Sequence, residues 1–220
     1  MKPYYDHDGI QIYHGNSEEI AIGMGRFDGL LTDPPYGIGV GAKLMGASKT
    51  RPVTNMILGS WDAKRPSQNI FDLFIGMTDR QVIWGGNYFA DMLPPSRCWL
   101  VWHKRSEANG QTDFADAELA WTSLDANVRV IVHEWNGFRR AGGEDRYPHP
   151  TQKPVGVMTW ALSLMGGGMK TILDPYMGSG SSLLACKKLR LQAVGIEAEE
   201  RFCEMAALRL SQEVFDWGEA

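Results

Sequence analysis

The sequence predicts an α/β fold in which a mostly parallel, twisted sheet carries helices on both faces. One observation is a strand, turn, helix and strand unit, with strands at Thr171–Leu173 and Ala193–Ile196 on either side of a helix at Ser181–Leu189. A second is an apolar strand at Phe27–Thr32, which must end at two consecutive prolines because proline cannot donate to a sheet ladder. A third is the length of 220 residues with 44% hydrophobic and 22% charged side chains, which suits a single domain spanning residues 1–220.

Apolar periodicity and turn residues predict the other elements. Further strands are expected at Ile10–His14, Gln81–Trp84, Cys98–Trp102, Ala117–Trp121 and Arg129–His133. Further helices are expected to begin at Asn16-Ser17, to run from Ser67 to about Met77, and to span Tyr88–Leu93, Pro154–Met165 and Ala198–Val214. The stretch after Tyr36 is rich in glycine and has no clear period, so a long mobile loop is expected at about residues 37–62.

The composition argues against membrane, disulfide-stabilised and zinc-ribbon proteins. No apolar run approaches the roughly 18 residues that span a bilayer, and the polar amino terminus is unlike a signal peptide. We therefore expect a cytoplasmic location without membrane contact. Three cysteines at wide spacings suit neither a disulfide framework nor a metal ribbon, and no metal site is predicted.

The net charge of −4 conceals an uneven distribution of charged side chains. Residues 37–66 hold five basic residues against one acidic residue, whereas residues 197–220 hold seven acidic residues against two basic residues. The first region could therefore contact phosphate while the second avoids it. A solvated loop followed by an acidic terminal helix is the simpler explanation of the same charges, and charge patterning alone favours it.

A glycine-rich turn follows the predicted strand at Thr171–Leu173. Asp174-Pro-Tyr-Met-Gly178-Ser-Gly180 leaves that strand and opens a helix, and Glu197 closes the next strand. In this arrangement glycine lets a ligand approach the backbone, and the acidic residue can accept both hydroxyls of a ribose. A plain strand-to-helix turn with an exposed glutamate is the alternative when the motif is considered alone.

Two common nucleotide cofactors fit this glycine turn poorly. A dinucleotide fingerprint needs a third glycine where Leu183 stands, and a phosphate-binding P-loop needs a lysine where Ser181 and Ser182 stand. What remains is a cofactor that has an adenosine but no phosphate chain. S-adenosylmethionine meets that description, with Glu197 on the ribose and Asp174 near the methionine ammonium group.

The tetrapeptide Asp33-Pro34-Pro35-Tyr36 should lie at the carboxyl edge of the sheet, where open α/β folds bind ligands. The exocyclic amino group of adenine or cytosine is a poor nucleophile because its lone pair is delocalised into the ring. Hydrogen bonds from that amino group to the Asp33 side chain and the Pro34 carbonyl would localise the lone pair, and Pro35 would fix the backbone. Tyr36 would stack on a base rotated out of the duplex. An Asx-type turn after a strand is the simpler alternative.

Three motifs in this order resemble the DNA amino-methyltransferases: Leu31 to Gly37, His149 to Pro154 and Asp174 to Gly180. With the catalytic tetrapeptide first and the cofactor loop last, the order is similar to the permuted beta group of that family. The resemblance covers the chain from Ile10 to about Leu210 and implies a Rossmann-like, S-adenosylmethionine-dependent methyltransferase fold. It implies that the catalytic residues are Asp33, Pro34, Pro35 and Tyr36. It implies that the cofactor-binding residues are Asn16, Asp33, Thr151, Lys153, Asp174, Tyr176, Gly178, Gly180, Ser181 and Glu197.

The activity that the resemblance implies is methyl transfer from S-adenosylmethionine to N6 of adenine in double-stranded DNA, by base flipping and direct in-line transfer. Members of that family usually carry a separate target-recognition region before the Thr-Gln-Lys-Pro motif, but only a minimal segment at about residues 136–148 is available here. A short or relaxed recognition sequence is therefore expected, and Arg146, Lys104 and Arg105 could add to the DNA contacts. The DNA-binding residues are expected to be Lys43, Lys49, Arg51, Arg139 and Arg140.

Other functions stay open at this point. The acceptor could be cytosine N4, an RNA base or a glutamine amide, since related tetrapeptides serve all of these amines. A nucleic-acid-binding regulator with the same fold but no catalysis is a different class, and the intact Asp33, Gly178 and Gly180 argue against it because a binding module needs none of them. A NAD-dependent oxidoreductase is weakened by the missing third glycine. The final helix could form a homodimer interface, although its apolar spacing equally suits packing on the sheet.

Overall fold

A computed structural model of the chain describes residues 1–39, 62–104, 115–135, 144, 147 and 151–212. Within those residues the chain forms one nine-stranded sheet, in the order β1-β2-β9-β8-β3-β4-β6-β5-β7. Five of the eight neighbouring strand pairs are parallel, which confirms the predicted mostly parallel sheet. The strands are β1 (Tyr5–His7), β2 (Ile10–His14), β3 (Phe27–Thr32), β4 (Thr78–Trp84), β5 (Trp99–His103), β6 (Ala117–Thr122), β7 (Arg129–Val132), β8 (Thr171–Asp174) and β9 (Gln192–Glu197).

Helices cover both faces of the sheet, as predicted. The described helices are α1 (Ser17–Ala21), α2 (Gln68–Gly76), α3 (Val155–Leu164), α4 (Ser181–Lys188) and α5 (Glu200–Ser211). Helices α3, α4 and α5 share one buried core with Leu31 of β3, whereas α1 and α2 share a second core with Leu30. Neighbouring residues of β3 serve opposite cores because side chains alternate along a strand. None of the described helices is both long and apolar enough to cross a membrane.

The unit β8–α4–β9 matches the predicted strand, turn, helix and strand unit to within one residue at every end. The helix predicted over Tyr88–Leu93 is wrong. A 3₁₀ turn spans Gly86–Tyr88, and hydrogen-bonded turns continue to Leu93. Six residues before two prolines are too few to stabilise a helix, and Phe89 is fully buried there against the ring of Phe71. Packing of one aromatic side chain therefore decides the local backbone.

Candidate active site

Five neighbouring parallel strands end at one edge of the sheet, and predicted site residues follow four of those ends. In spatial order these strands are β2, β9, β8, β3 and β4. Glu197 is the last residue of β9 and Asp174 is the last residue of β8. Asn16 and Asp33 follow β2 and β3 within two residues. The sheet therefore brings together residues that are far apart in sequence, at the edge where such folds bind ligands.

The glycine turn after β8 has a backbone that glycine adopts without strain. Gly178 and Gly180 have φ angles of 51° and 79°. Gly180 is also the N-cap of α4, and a Cβ atom there would lie 2.8 Å from Cβ of Ala206 in α5. Glu197 closes the turn from β9, since one carboxylate oxygen accepts from Gly178 N at 3.0 Å and the other from Glu199 N at 2.9 Å. A carboxylate thus holds the glycine backbone in place.

The carboxyl group of Glu197 is suited to a ligand hydroxyl. Burial raises the pKa of Glu197 to about 7, although hydrogen bonds from two backbone N–H groups oppose that shift. Each oxygen accepts one of these bonds and has a second lone pair for a further donor. An acidic side chain in this position relative to a glycine turn is where a ribose binds in such folds. The residues present therefore fit an adenosine-containing cofactor.

Asp174 is buried at the base of the glycine turn with three donors around its carboxylate. Thr32 Oγ1 donates to Asp174 Oδ1 at 2.7 Å, Tyr176 N donates to the same oxygen at 3.1 Å, and Ser182 Oγ donates to Oδ2. Burial raises the pKa of Asp174 to about 6, and the hydrogen bonds oppose that shift. Asp174 thereby joins the end of β3 to the first turn of α4. Its contact with a methionine ammonium group stays a prediction.

The other cofactor candidates have local structural roles as well. Asn16 caps α1, because its Oδ1 accepts from two backbone N–H groups of the first turn at 2.9 and 3.2 Å. The cap uses the amide oxygen of Asn16 and not its nitrogen. Tyr176 packs edge-on against Phe74, with ring centroids 6.0 Å apart. Ser181 begins α4, and Thr151 lies half-buried in the turn before α3. The roles of these residues toward a cofactor stay predictions.

The tetrapeptide after β3 is held by a compact set of hydrogen bonds. Tyr36 OH donates to Asp33 Oδ1 at 2.6 Å, and Lys153 Nζ donates to Asp33 Oδ2. Lys153 Nζ also donates to the Tyr36 hydroxyl oxygen at 3.1 Å. Asp62 fixes the backbone, since its Oδ1 accepts from Tyr36 N at 2.6 Å and from Gly37 N at 3.0 Å. Both oxygens of Asp33 therefore have donors at the point where a substrate amine is expected.

One face of the Tyr36 ring is covered by another aromatic ring. Tyr36 stacks on Tyr88, with centroids 4.6 Å apart and planes 16° apart. Gly85 makes room for this stack: a Cβ atom there would lie 2.1 Å from Tyr36 Cε1, and its φ is +70°. Pro34 is buried and Pro35 half-buried beside the ring. One face of the ring is therefore occupied by Tyr88, and the stacking of a base on Tyr36 stays a prediction.

Four charged side chains form a connected network that begins at Asp33. Lys153 Nζ pairs with Asp33 and lies 3.0 Å from Glu118 Oε2, while Lys104 Nζ pairs with Glu118 Oε1. Glu118 is near the start of β6, and Lys104 follows the end of β5. Because β6 is antiparallel to β4 and β5, both residues reach the same sheet edge as the end of β4.

Sequence reasoning missed Glu118 and treated Lys104 only as a candidate DNA contact. The available signal was a charged residue within an otherwise apolar predicted strand, Ala117–Trp121. A charge at such a position is costly unless it is paired. Tyr88, Gly85 and Asp62 were also missed, because their contacts with Tyr36 depend on tertiary structure.

The network determines how its members ionise. Burial raises the pKa of Asp33, and the positive charge of Lys153 opposes that shift. Burial also raises the pKa of Glu118, but Lys153 and Lys104 outweigh burial and hold it at about 2. Burial lowers the pKa of Lys153, yet the two carboxylates outweigh it and raise that pKa above its usual value. Glu118 and Lys153 are therefore charged at neutral pH. Asp33 is the carboxylate of the network whose pKa is raised, so its ionised form is the less stabilised of the two.

The predicted target-recognition segment at 136–148 contributes two described residues, and both contact the core of the fold. Glu144 Oε2 accepts from Val155 N at 2.7 Å, and Glu144 Oε1 lies 3.2 Å from Nη2 of the buried Arg209. The guanidinium of Arg209 also lies over the ring of Tyr147, 4.6 Å from its centroid. The side chains predicted to contact DNA lie outside the described residues and stay predictions: Lys43, Lys49, Arg51, Arg139 and Arg140.

Comparison with known proteins gives matches over most of the chain. The family model described as DNA methylase (N6_N4_Mtase) matches residues 60–208, more than half of the chain. The Type II methyltransferase M.ScaI of Streptomyces caespitosus is 25% identical over 260 residues, which cover 96% of this chain and 84% of that protein.

Solved structures share the fold. The M1.HpyAVI–SAM complex aligns with a TM-score of 0.59 and 22% identity, over 91% of this chain and 99% of that chain. The PvuII DNA methyltransferase, described as cytosine-N4-specific, aligns with a TM-score of 0.61 and 14% identity, over 97% of this chain and 90% of that chain. The Rossmann-like methyltransferase fold is therefore confirmed. The family match, the glycine turn and Glu197 together support S-adenosylmethionine as the cofactor. The chain belongs to the DNA methylase family.

Proposed function

We propose that this protein transfers the methyl group of S-adenosylmethionine to the exocyclic amino group of a base in double-stranded DNA, with adenine N6 as the target. One observation carries the proposal. The tetrapeptide and the glycine turn occupy the ends of the neighbouring strands β3 and β8, and Thr32 joins them by donating to Asp174 at 2.7 Å. An acceptor amine at Asp33 and a cofactor at the glycine turn would therefore be adjacent.

The tetrapeptide supplies the groups that activate an amine. Asp33 accepts a hydrogen bond from one N–H of the target amino group, and the carbonyl of Pro34 accepts one from the other. These two bonds draw the nitrogen lone pair out of the aromatic ring. Pro35 restricts the backbone that aims this carbonyl. The ring of Tyr36 stacks on the flipped base, and stacking of about 1–3 kcal/mol per base offsets much of the cost of unpairing.

The cofactor site is formed by the residues around the glycine turn. Glu197 holds the ribose, the backbone at Gly178 and Gly180 lies against the cofactor, and Asn16 is beside the adenine. When bound, S-adenosylmethionine supplies a methyl group on a sulfonium, so the transfer needs no metal to activate the leaving group. The main task of the protein is alignment, which can contribute roughly 7–11 kcal/mol.

Adenine is proposed over cytosine because aspartate occupies the first position of the tetrapeptide, the residue that the family resemblance associates with adenine. The shape of the tetrapeptide by itself suits either amine. The DNA contacts are proposed in the segments 37–62 and 136–148, where Lys43, Lys49, Arg51, Arg139 and Arg140 would meet phosphates or base edges.

The proposal is tested by incubating the purified protein with S-adenosylmethionine and mixed-sequence duplex DNA. The DNA is then digested and its nucleosides are identified by mass spectrometry. N6-methyldeoxyadenosine is expected with the wild-type protein and is absent with Asp33→Ala. Asp79→Asn is the matched control, since Asp79 is an exposed carboxylate paired with Arg26. Detection of N4-methyldeoxycytidine would support the same mechanism with cytosine as the target base. Cofactor binding without any methylated base would overturn the proposal in favour of a DNA-binding regulator.

The recognition sequence is expected to be short or relaxed, because only a minimal segment precedes the Thr-Gln-Lys-Pro motif. Sequencing that detects methylated bases directly should show methylation within recognition sequences that specify only a few bases. Methylation confined to a site of six or more specified bases would contradict this expectation.

A further inference from the structure

Lys153 lies between two carboxylates, and only one of them belongs to the catalytic tetrapeptide. Its Nζ donates to Asp33 Oδ2 and lies 3.0 Å from Glu118 Oε2. The Lys153 side chain is only 5% exposed. A buried ammonium group is costly unless a carboxylate compensates its charge. Lys153 can therefore move away from Asp33 only toward another negative charge.

Methyl transfer requires Asp33 to act as an acceptor for an incoming amine. Its Oδ1 already accepts from Tyr36 OH at 2.6 Å, and its Oδ2 accepts from Lys153. A positive charge on Oδ2 weakens that oxygen as an acceptor. In addition, the attacking nitrogen becomes positive as its bond to the methyl carbon forms, and a nearby ammonium group repels that charge. Methyl transfer is therefore favoured when Lys153 is displaced from Asp33.

Glu118 offers the place to which Lys153 can move. Lys104 occupies Oε1 of Glu118, and in the described part of the chain Oε2 is buried without a well-aligned hydrogen bond. That oxygen already forms an ion pair with the ammonium group of Lys153 at 3.0 Å, so Lys153 is shared between the two carboxylates. A small reorientation of the Lys153 side chain is enough to move it from Asp33 fully onto Glu118.

We propose that Glu118 is a positioning residue that takes Lys153 from Asp33 when the amino group of the target base arrives. This role rests on the proposed methyl transfer. Asp33 exchanges a charged donor for the neutral donor of the substrate, and the total charge of the buried network stays the same. Lys104 pairs with the other oxygen of Glu118 and holds the carboxylate in orientation for the exchange.

The isosteric variant Glu118→Gln tests the role, because it removes the charge and keeps the volume. Lys153 then stays on Asp33, and kcat for DNA methylation is expected to fall on the order of 10- to 100-fold. The rate is measured at saturating S-adenosylmethionine and the dissociation constant of the cofactor separately, because Lys153 is itself a predicted cofactor-binding residue.

A pH profile separates this role from a purely structural one. The groups that act electrostatically on Asp33 are Lys153, Glu118, Tyr36 and Asp174. Because the negative charge of Glu118 raises the pKa of Asp33, Glu118→Gln should move the acidic limb of the kcat/KM profile to lower pH by about one unit. A variant that only loosened the fold would lower the rate without moving the limb.

Lys104→Gln is the second variant and should move the acidic limb in the opposite direction. Without Lys104, the charge of Glu118 acts fully on Lys153, and the pKa of Asp33 rises. Asp79→Asn serves as the control for loss of a carboxylate elsewhere on the protein.

If Glu118→Gln does not fold, as judged by thermal unfolding, the role of Glu118 is tested by the direction in which Lys104→Gln moves the acidic limb of the kcat/KM profile. An active wild-type protein with a Glu118→Gln variant of unchanged kcat, or with no displacement of the limb in either variant, overturns the role of Glu118 alone. A wild-type protein that methylates no DNA overturns the proposed function together with this role.

Discussion

The candidate site has two sides: the glycine turn with Asp174 and Glu197, called the cofactor side, and the tetrapeptide with Asp33 and its partner Glu118, called the tetrapeptide side. The two sides stabilise their buried carboxylates by different means. Asp174 and Glu197 accept hydrogen bonds from hydroxyl and backbone N–H groups, and neither forms an ion pair within the described residues. Asp33 and Glu118 pair with lysines. Burial raises the pKa of Asp174 to about 6 and that of Glu197 to about 7, whereas the two lysines overcome burial and hold Glu118 at about 2. Neutral donors leave Asp174 and Glu197 titratable near neutrality, and two lysines fix the charge of Glu118. The single lysine on Asp33 does not fully offset the burial that raises its pKa.

This difference matches the tasks proposed for the two sides. Recognition of ribose hydroxyls uses neutral donors, and a carboxyl group that titrates near neutrality makes this recognition depend on pH. Activation of a weakly nucleophilic amine needs an acceptor whose charge is controlled. Substitutions that remove the ion pairs should therefore have larger effects than substitutions among the neutral hydrogen bonds.

The largest effect is expected for Lys153→Met, which leaves two carboxylates facing each other without their shared cation. Breaking a buried ion pair by removing one partner costs about 3–5 kcal/mol of stability. DNA methylation should be lost with it, because without the charge of Lys153 burial raises the pKa of Asp33 further and favours its neutral form, a poor acceptor. Chemical denaturation measures the free energy of unfolding, and Lys188→Met in an exposed position of α4 is the matched control. Equal stability of the two variants would contradict the importance of the ion pairs.

A large effect is also expected for Gly85→Ala on the tetrapeptide side. The new Cβ atom would overlap the Tyr36 ring, at 2.1 Å from Cε1, and the backbone has a φ of +70°. Strain at such a position costs about 1–3 kcal/mol, and displacement of Tyr36 disturbs Asp33 as well. Thermal unfolding and methylation rate are compared with those of Gly167→Ala, where an added Cβ meets no atom within 4 Å. Full activity of Gly85→Ala would show that the Tyr36 position is not needed.

An intermediate effect is expected for the pH dependence of cofactor binding through Glu197. Its pKa in the folded protein is about 7, above the usual value, so its contribution to stability is present at low pH and lost as pH rises toward 7. The ionised form is the better acceptor for ribose hydroxyls. Binding of S-adenosylmethionine should therefore tighten roughly tenfold between pH 6 and pH 8.

Isothermal titration calorimetry at several pH values measures this dependence on Glu197. In Glu197→Gln, the affinity should be weaker and nearly independent of pH over the same range. A wild-type affinity that is equal at both pH values would disprove the assigned role of Glu197.

The smallest effect is expected for Asn16, whose cap on α1 uses a neutral side chain. Asn16→Ala should cost about 1 kcal/mol, because two backbone N–H groups lose their acceptor. Asn16→Asp keeps the capping oxygen and removes the amide nitrogen. If that nitrogen contacts the cofactor adenine, Asn16→Asp should bind S-adenosylmethionine more weakly at unchanged stability. Calorimetric binding and unfolding measurements on both variants separate the two roles.

Local patterns predicted much of the fold and located the glycine turn and Glu197. Proline pairs, glycine runs and apolar periodicity located most strand and helix boundaries, because each acts on the backbone within a few residues. The glycine turn and Glu197 could be found for the same reason, since they belong to one short strand, helix and strand unit. The helix expected at Tyr88–Leu93 was wrong because six residues before two prolines are too few to sustain a helix, and Phe89 is buried there against Phe71.

The sequence by itself determined the family, the order of the motifs and the carboxylates that end β3, β8 and β9. Only the tertiary structure showed that Lys153 pairs with Asp33, 120 positions away, and with Glu118. It also showed that Gly85 admits the ring of Tyr36. The physical reason is that backbone preferences act over a few neighbouring residues, whereas ion pairs and ring packing depend on which strand ends the sheet brings to one edge.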